Sequence, residues 1–491
     1  MRRVWQYRFR QTTLTLAVCL AFLIGVGLAR VDSAAWLKAA WPLAVVLLVI
    51  GRQRTALSLC LAVLLGLGLG VWRGAIFTQK LAVYQPYYYR EVTLSVRAMN
   101  DAVYGTKSQI SFDADDLMLD DGTRLAGKIQ LSGFGENAVF QGDELTATGK
   151  LYPGYGAYQG RISFAELHVS VHHPSLVAEI RRRFTAGMQT ALPEPLAPFA
   201  MGLLIGQRAT LPADNKQDLL MVGLTHIIAV SGYNLTIILH ASKRLLAKRS
   251  KRLSTLLSFS LIAVFLLLAG ASASIVRAAI VSTLSITASY YGRDFKPLNL
   301  LALAAAITAW ANPFYVWSDL SWYLSFLAFF GVMVVSPLVQ ARWPGRWHQS
   351  LVGGVALESV CAELMSLPFI LYIFGQMSFV GLPANVLVTA LVPLAMLLGT
   401  IAGLAGMLIG PVAGWLAWPA ALLLNYMLDI AHLMAHLPHI FVQNLSLPLA
   451  GMLGLYGLII LLTVVLWHKT KLPRADIITD MNELETRGLK A

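Results

Sequence analysis

Charge is what this sequence has least of. Only 13% of its 491 residues are Asp, Glu, Lys or Arg, while 57% are hydrophobic, and the mean hydropathy is +0.64. Soluble proteins carry about 25% charged residues, so half that density cannot clothe a water-facing surface of this size. Disorder, a coiled coil and a lone soluble enzyme are excluded. Cysteine is equally scarce. Cys19, Cys60 and Cys361 all lie in apolar runs, which leaves neither a disulfide framework nor a thiolate metal site and makes them core filler. No Gly-x4-Gly-Lys-Ser/Thr phosphate loop is present, so any energy the chain's work needs must come from a separate ATPase, the proton gradient or pulling from the inner side. The first apolar run, Leu14–Ala29, has no small-residue cleavage site and is followed by further spans, so no cleavable signal peptide is expected.

What is present is apolar sequence in blocks. A membrane crossing needs ~20 mostly apolar residues. Candidate spans lie near 12–29, 35–50, 56–76, 223–241, 255–272, 274–291, 298–311, 320–339, 350–375, 381–410, 412–436 and 447–467. That makes about twelve, with 298–311 short and 381–410 long enough to be broken. Lys and Arg gather on the cytosolic side of short loops. With this assignment the basic clusters at 2–10, 52–54, 243–252, 293–296, 342–346 and 469–474 all fall inside. Both termini are then cytosolic and residues 78–175 extracytosolic. The expected organisation is N-terminal helices over 1–77, an outer domain over 78–175, interfacial helices over 176–222, a main bundle over 223–467 and a tail over 468–491.

The outer block alternates with a period of two. Val92, Leu94 and Val96 alternate, as do Ile110 with Phe112, Ile129 with Leu131, Leu145 with Ala147, and Ile162 with Phe164. Five short strands in about a hundred residues suit a small Greek-key barrel of the OB type, with a generic β-sandwich as the competitor. Such barrels bind single strands on aromatics set in a basic groove, and Lys150, Tyr155, Tyr158 and Arg161 are the candidates for DNA contact. Residues 78–180 hold eight basic against twelve acidic residues, so a binding face would be local. Tyr84, Tyr87, Tyr88 and Tyr89 read as an interfacial aromatic belt.

Ionisable groups at bilayer depth are costly and mark a pathway or a partner. Arg277, Glu358, Glu363 and Asp429 stand out, the three acids as buried charge partners. Glu358 and Glu363 are five residues apart and lie some 140° apart on a helix at 3.6 residues per turn. His432 and His436 have an i, i+4 spacing, but no nearby Glu or Cys completes a site, so no metal and no cofactor is expected. The strongest local feature is Gly223-Leu-Thr-His226-Ile-Ile-Ala-Val-Ser231-Gly232-Tyr-Asn234. There, small and hydrogen-bonding residues interrupt an apolar run, which permits close helix approach or a break lining a water cavity.

This segment resembles the signature of the ComEC competence family, the inner-membrane channels for transforming DNA. Further blocks match in order: Gly202 to Arg208, Ser274-Ile-Val-Arg277, Lys296-Pro-Leu-Asn299, Asp319 to Phe326, Phe374-Gly-Gln-Met-Ser378 and Gly381-Leu-Pro-Ala-Asn385. Tyr233 and Asn234 depart from the Leu-His common in that family. The family's metallo-β-lactamase-like domain and its His-x-His-x-Asp-His motif are not found in this sequence, so the chain is expected not to be an enzyme. The resemblance implies a channel for single-stranded DNA. Its path would be lined by His226, Ser231, Gly232, Asn234, Arg277, Asn299 and Asn385. Arg181, Arg182, Arg183 and Arg208 would make the outer mouth basic, or anchor an amphipathic helix in lipid headgroups. Single-stranded DNA and membrane lipid are the implied partners, with a separate motor ATPase and nuclease. Without the resemblance, a secondary transporter of a small anionic solute would be the first reading.

Overall fold

The computed structural model of the chain describes residues 11–30, 56–104, 109–136, 139–155, 158–172, 176–206, 211–228, 235, 239, 250–269, 273–292, 296–342, 351–438, 440–445 and 447–469. Seven described helices are long and apolar enough to cross a membrane: Gln11–Leu28, Leu57–Tyr87, Leu320–Gln340, Ala356–Phe374, Val392–Ile409, Ala413–Ala435 and Leu449–Lys469. The chain is a multi-pass membrane protein. The expected dozen is not reached among the described residues, for identifiable reasons. The 35–50 span and most of 223–241 lie outside the described residues. The 381–410 run is split in two, and the apolar helices Ser274–Tyr290 and Pro297–Ala311 are shorter than a full crossing.

The chain forms two compact units, residues 1–180 with 302–323 and residues 181–301 with 324–491. In the first unit, α1 (Gln11–Leu28) packs along α2 (Ala56–Ala82). The segment 302–323 docks on this pair: Arg73 donates from Nε to the Trp310 carbonyl at 2.8 Å, and Trp317 Nε1 donates to the Val26 carbonyl at 2.8 Å. Cys19 is buried as expected, whereas Cys60 is exposed on the outer side of α2.

The same unit holds the all-β region: β1 (Glu91–Ala98), β2 (Val103–Tyr104), β3 (Ile110–Leu119), β4 (Arg124–Leu125), β5 (Ile129–Phe134), β6 (Glu144–Pro153) and β7 (Gly160–Val171). The five long strands close on themselves in the order β1-β6-β7-β5-β3-β1, parallel only between β5 and β7. The period-two residues Leu94, Ile110, Phe112, Ile129, Leu131, Leu145, Ala147 and Ile162 all point into one core and are at most 2% exposed. Each large apolar side chain removed from water in this way contributes about 1.5–3 kcal/mol.

Two expectations for this region are corrected. Phe164 does not alternate inward with Ile162. Ser163 pairs with Ser132 and Ala165 with Gly133, which leaves Phe164 extruded at a bulge with φ +60° and 73% exposed. The tyrosine cluster is not a belt but a latch on the barrel. Tyr84 is fully buried and donates to the Ala126 carbonyl at 2.9 Å, Tyr88 donates to the Gln159 carbonyl at 2.9 Å, and Tyr87 donates to Asp121 at 2.9 Å.

In the second unit, α3 (Leu176–Ala191), whose residues from Arg181 onward belong here, is amphipathic; an interfacial character is the expectation for the whole of 176–222. The next helix, α4 (Leu196–Ile205), departs from that expectation. Nine of its ten residues are buried, and it forms the centre of a core shared with α5 (Ala213–Met221), α13 (Gly381–Thr389), α14 (Val392–Ile409) and α15 (Ala413–Ala435). Between α5 and α13 in sequence lie α6 (Lys251–Ala269), α7 (Ala273–Tyr290), α8 (Pro297–Ala311), α9 (Phe314–Ser318), α10 (Leu320–Phe330), a π turn (Gly331–Val335), α11 (Ser336–Gln340) and α12 (Leu351–Phe374). The last helix is α16 (Leu449–Lys469). Short strands β8 (Met377–Ser378) and β9 (Phe441–Val442) pair antiparallel.

Candidate functional site

Non-helical backbone inside a membrane protein is tolerated where it is buried in protein or lines water. Among the described residues of the second unit, one such stretch follows α5. Helix α5 ends at Gly223, which adopts φ +79°. The Leu224 amide reaches back to the Leu219 carbonyl at 2.7 Å and the Gly223 amide to the Leu220 carbonyl at 3.0 Å. This is the left-handed glycine stop of a helix, a conformation a Cβ would strain. A Cβ placed here would meet the Ser378 Cβ at 3.6 Å and the Gly381 Cα at 3.7 Å, ordinary contact distances. The turn therefore packs against the β8–α13 junction.

That packing brings together residues far apart in sequence. The His226 ring donates from Nδ1 to the Gly223 carbonyl at 3.1 Å and stands beside the side chain of Asn385 on α13. The Asn385 amide oxygen also accepts from the Thr389 hydroxyl one turn later. The Glu363 carboxylate, from α12, stands 3.4 Å from where a Cβ on Gly381 would be. The Ser378 hydroxyl is buried and meets no hydrogen-bond partner among the described residues. The site is thus a knot of hydrogen-bonding groups with one carboxylate, in which His226 is exposed and Glu363, Ser378 and Asn385 are half-buried. Glu363 and Ser378 in this role were missed by sequence reasoning. The clue to them was the interruption Gly375-Gln-Met-Ser378 after an apolar run.

The other expected path residues are elsewhere or undescribed. Arg277 is 1% exposed on α7, with its guanidinium 5.6 Å above the Phe326 ring, a distance at which cation–π attraction operates. Asn299 is buried in the first turn of α8. Ser231, Gly232, Asn234 and Arg208 lie outside the described residues. Glu358 shares the unbroken helix α12 with Glu363, and the two do not share a face. Asp429 is corrected: it is exposed on α15 rather than a buried charge partner. So is the expectation that nothing completes the His432–His436 pair. Asp218, 214 residues earlier in the chain, lies 2.8 Å from His432 Nδ1.

On the barrel, three of the four expected contact residues cluster. The Arg161 guanidinium lies 5.7 Å from the Tyr152 ring and 5.5 Å from the Tyr155 ring, and the Lys150 ammonium lies 5.8 Å from Tyr152. Tyr89 meets Tyr152 edge-on. Tyr155 and Tyr89 remain more than 60% exposed, so cations and free aromatic faces alternate on one patch. Tyr158 is turned away from this patch. Its hydroxyl donates to Asp113 at 3.0 Å, and Lys128 covers its ring. On the extruded bulge, Phe164 stacks on Phe134, an exposed aromatic step that alternation alone could not reveal. On α3, Arg183 is exposed while Arg181 and Arg182 are half-buried.

Burial holds the Asp113 carboxyl above the usual carboxylate range, against the opposing pulls of the Lys128 charge and the Tyr158 hydrogen bond. The folded barrel therefore holds this proton more tightly than the unfolded chain does. The cost of the buried charge is full above the folded-state pKa and is relieved as pH falls toward the unfolded value. Asp113→Asn should raise the barrel's thermal midpoint at neutral pH. That gain should shrink on acidification and vanish below about pH 3.9, the unfolded carboxylate value. A gain that stayed constant with pH would assign it to packing instead.

No solved structure matches the chain. ComE operon protein 3 of Bacillus subtilis (strain 168) is 25% identical over 231 residues, which are 46% of this chain and 29% of that protein. The chain thus aligns with under a third of that relative's length. The family model described as Competence protein matches residues 203–469. That match is more than half of the chain and takes in the Gly223 turn, His226, Glu363, Ser378 and Asn385, so the chain belongs to the Competence protein family.

Proposed function

We propose that this chain is the channel-forming subunit that carries single-stranded DNA across the cytoplasmic membrane during natural transformation. The observation that carries the reading is the knot around the Gly223 turn. Within the segment matched by the family, His226, Asn385, Ser378 and Glu363 converge on non-helical backbone amid apolar helices. A strand with one charge per nucleotide cannot cross ~30 Å of hydrocarbon unless polar groups and water replace the lipid. Such a knot is where the bundle can part without exposing unsatisfied backbone to lipid. Arg277, Asn299, Ser231, Gly232 and Asn234 extend the polar path.

In this reading both termini are cytosolic and the barrel is extracytosolic. The strand order 1-2-3-5-4-1, with its single parallel pair between the third and fifth long strands, supports an OB-type barrel. Its patch of Lys150, Tyr152, Tyr155 and Arg161 receives the strand by base stacking and sequence-independent phosphate contact. Arg181, Arg182, Arg183 and Arg208 carry the strand to the mouth. A separate ATPase supplies work, and a separate nuclease removes the other strand.

The test is titration of the barrel, residues 78–175, with labelled single-stranded DNA over a salt series. Binding should appear at low salt and weaken linearly in log–log form as salt rises. Tyr155→Ala should cost about 1–3 kcal/mol, the usual worth of a stacked base. Undetectable binding at low salt would remove the barrel from the path.

A further inference from the structure

Helix α15 ends beside α5, and three metal-ligating side chains meet where they touch. Asp218, His432 and His436 each offer a donor atom, and the three donors lie within 4.8 Å of one another. The two histidines are one turn apart on α15, with ring centroids 4.2 Å apart. Each ring is already oriented through Nδ1, His432 by the Asp218 carboxylate at 2.8 Å and His436 by the His432 carbonyl at 2.8 Å. His436 keeps its Nε2 lone pair for a cation, and with the His432 proton moved to Nε2 an ion would be shared between the His432 Nδ1 and the Asp218 carboxylate. Asp218 is 9% exposed while the histidines stand open to solvent. The group therefore has a buried carboxylate floor and an accessible imidazole rim. It also sits at the carboxyl end of α15, whose terminal carbonyls favour positive charge.

We propose that Asp218, His432 and His436 form a binding site for a divalent transition-metal ion of the zinc class. Two imidazoles and one carboxylate suit Zn²⁺, Co²⁺ or Ni²⁺ and not the all-oxygen preference of Ca²⁺ or Mg²⁺. Three protein donors leave a coordination position for water. Metal–nitrogen bonds near 2.1 Å require donors closer together than they now stand. The two exposed histidines can close that gap by side-chain rotation alone. The ion would clasp α5 to α15, and α5 runs directly into the Gly223 turn. Its role is to fix the position of that turn, and this inference does not depend on what passes through the bundle.

The test uses the full chain in detergent, purified through a tag without histidine. It is titrated with Co²⁺, read by visible absorption, and with Zn²⁺, read by bound stoichiometry and thermal midpoint. Wild type should bind one equivalent with a raised midpoint that chelator reverses. His432→Ala/His436→Ala should lose that equivalent, and a control pair on the barrel, His168→Ala/His172→Ala, should keep it. Asp218→Asn should weaken binding by more than about tenfold, the least that losing even a carboxylate behind a ligand costs. If the double variant does not purify as a monodisperse species, His436→Gln carries the test, because it leaves the Asp218–His432 bond intact. It should weaken binding at least about tenfold on the same scale. Absence of metal binding in wild type, or equal binding in wild type and these variants, overturns the proposal.

Discussion

Arg277→Ala is expected to lower import of labelled DNA into the cytosol by roughly ten- to a hundredfold at matched membrane abundance. A hydrogen bond to a charged group contributes about 1.5–3 kcal/mol, and each 1.4 kcal/mol is a factor of ten. Arg277 is 1% exposed. Its planar guanidinium stacks over Phe326, and a lysine ammonium cannot reproduce that arrangement. Arg277→Lys should therefore retain the charge and recover only part of the import. The pair of variants separates two roles. If Arg277 lies on the DNA path, import falls while abundance holds. If it only braces α7 against α10, abundance falls and the import per molecule is unchanged. Full import in both variants would take Arg277 out of the path.

The second large effect concerns helix packing. Gly406 on α14 faces Gly187 on α3 so closely that an added Cβ would sit 1.9 Å from the Gly187 carbonyl oxygen. The obstacle is backbone, which cannot swing aside as a side chain can. Gly406→Ala should separate the helices and lower stability by ~1–3 kcal/mol, the usual cost of overpacking, with abundance falling several-fold. Gly454 and Gly457 on α16 have nothing within 4 Å of their would-be Cβ atoms. The same change there should be neutral or stabilising by up to about 1 kcal/mol, the helix preference of alanine over glycine. Fluorescence-detected gel filtration after graded heating reads both. Equal behaviour of the three variants would show that α3 and α14 are not in contact in the membrane.

What the sequence could disclose follows from how far each determinant reaches along the chain. Apolar runs such as Val392–Ile409 are legible because hydrocarbon leaves the backbone one solution. The barrel strands are legible because inward and outward positions alternate residue by residue, as Leu94 and Val96 do. Phe164 broke that rule because a bulge is set by the partner strand, through the Ser132–Gly133 step of β5. The tyrosines at 84–89 look the same whether they meet lipid or protein. Only the fold supplies the Ala126 and Gln159 carbonyls that claim two of them. The signature turn announced itself locally, through Gly223 and His226. Its partners Glu363, Ser378 and Asn385 are more than a hundred residues away, as is the carboxylate that joins His432. No local spacing encodes such meetings.

One feature of the membrane helix that begins at Leu320 alters how its neighbours should be counted. The π turn at Gly331–Val335 holds an extra residue, and its first glycine is pressed against the Cys361 carbonyl of α12. A one-residue surplus shifts everything after it by about 100° relative to an uninterrupted α-helix at 3.6 residues per turn. A helical wheel drawn through 320–340 therefore misplaces its second half, and Ser336, 1% exposed, belongs to the inward side for that reason. The chain carries one residue of slack in mid-membrane, a place where a shift of that surplus along the helix would turn one segment about its axis while leaving its ends in place.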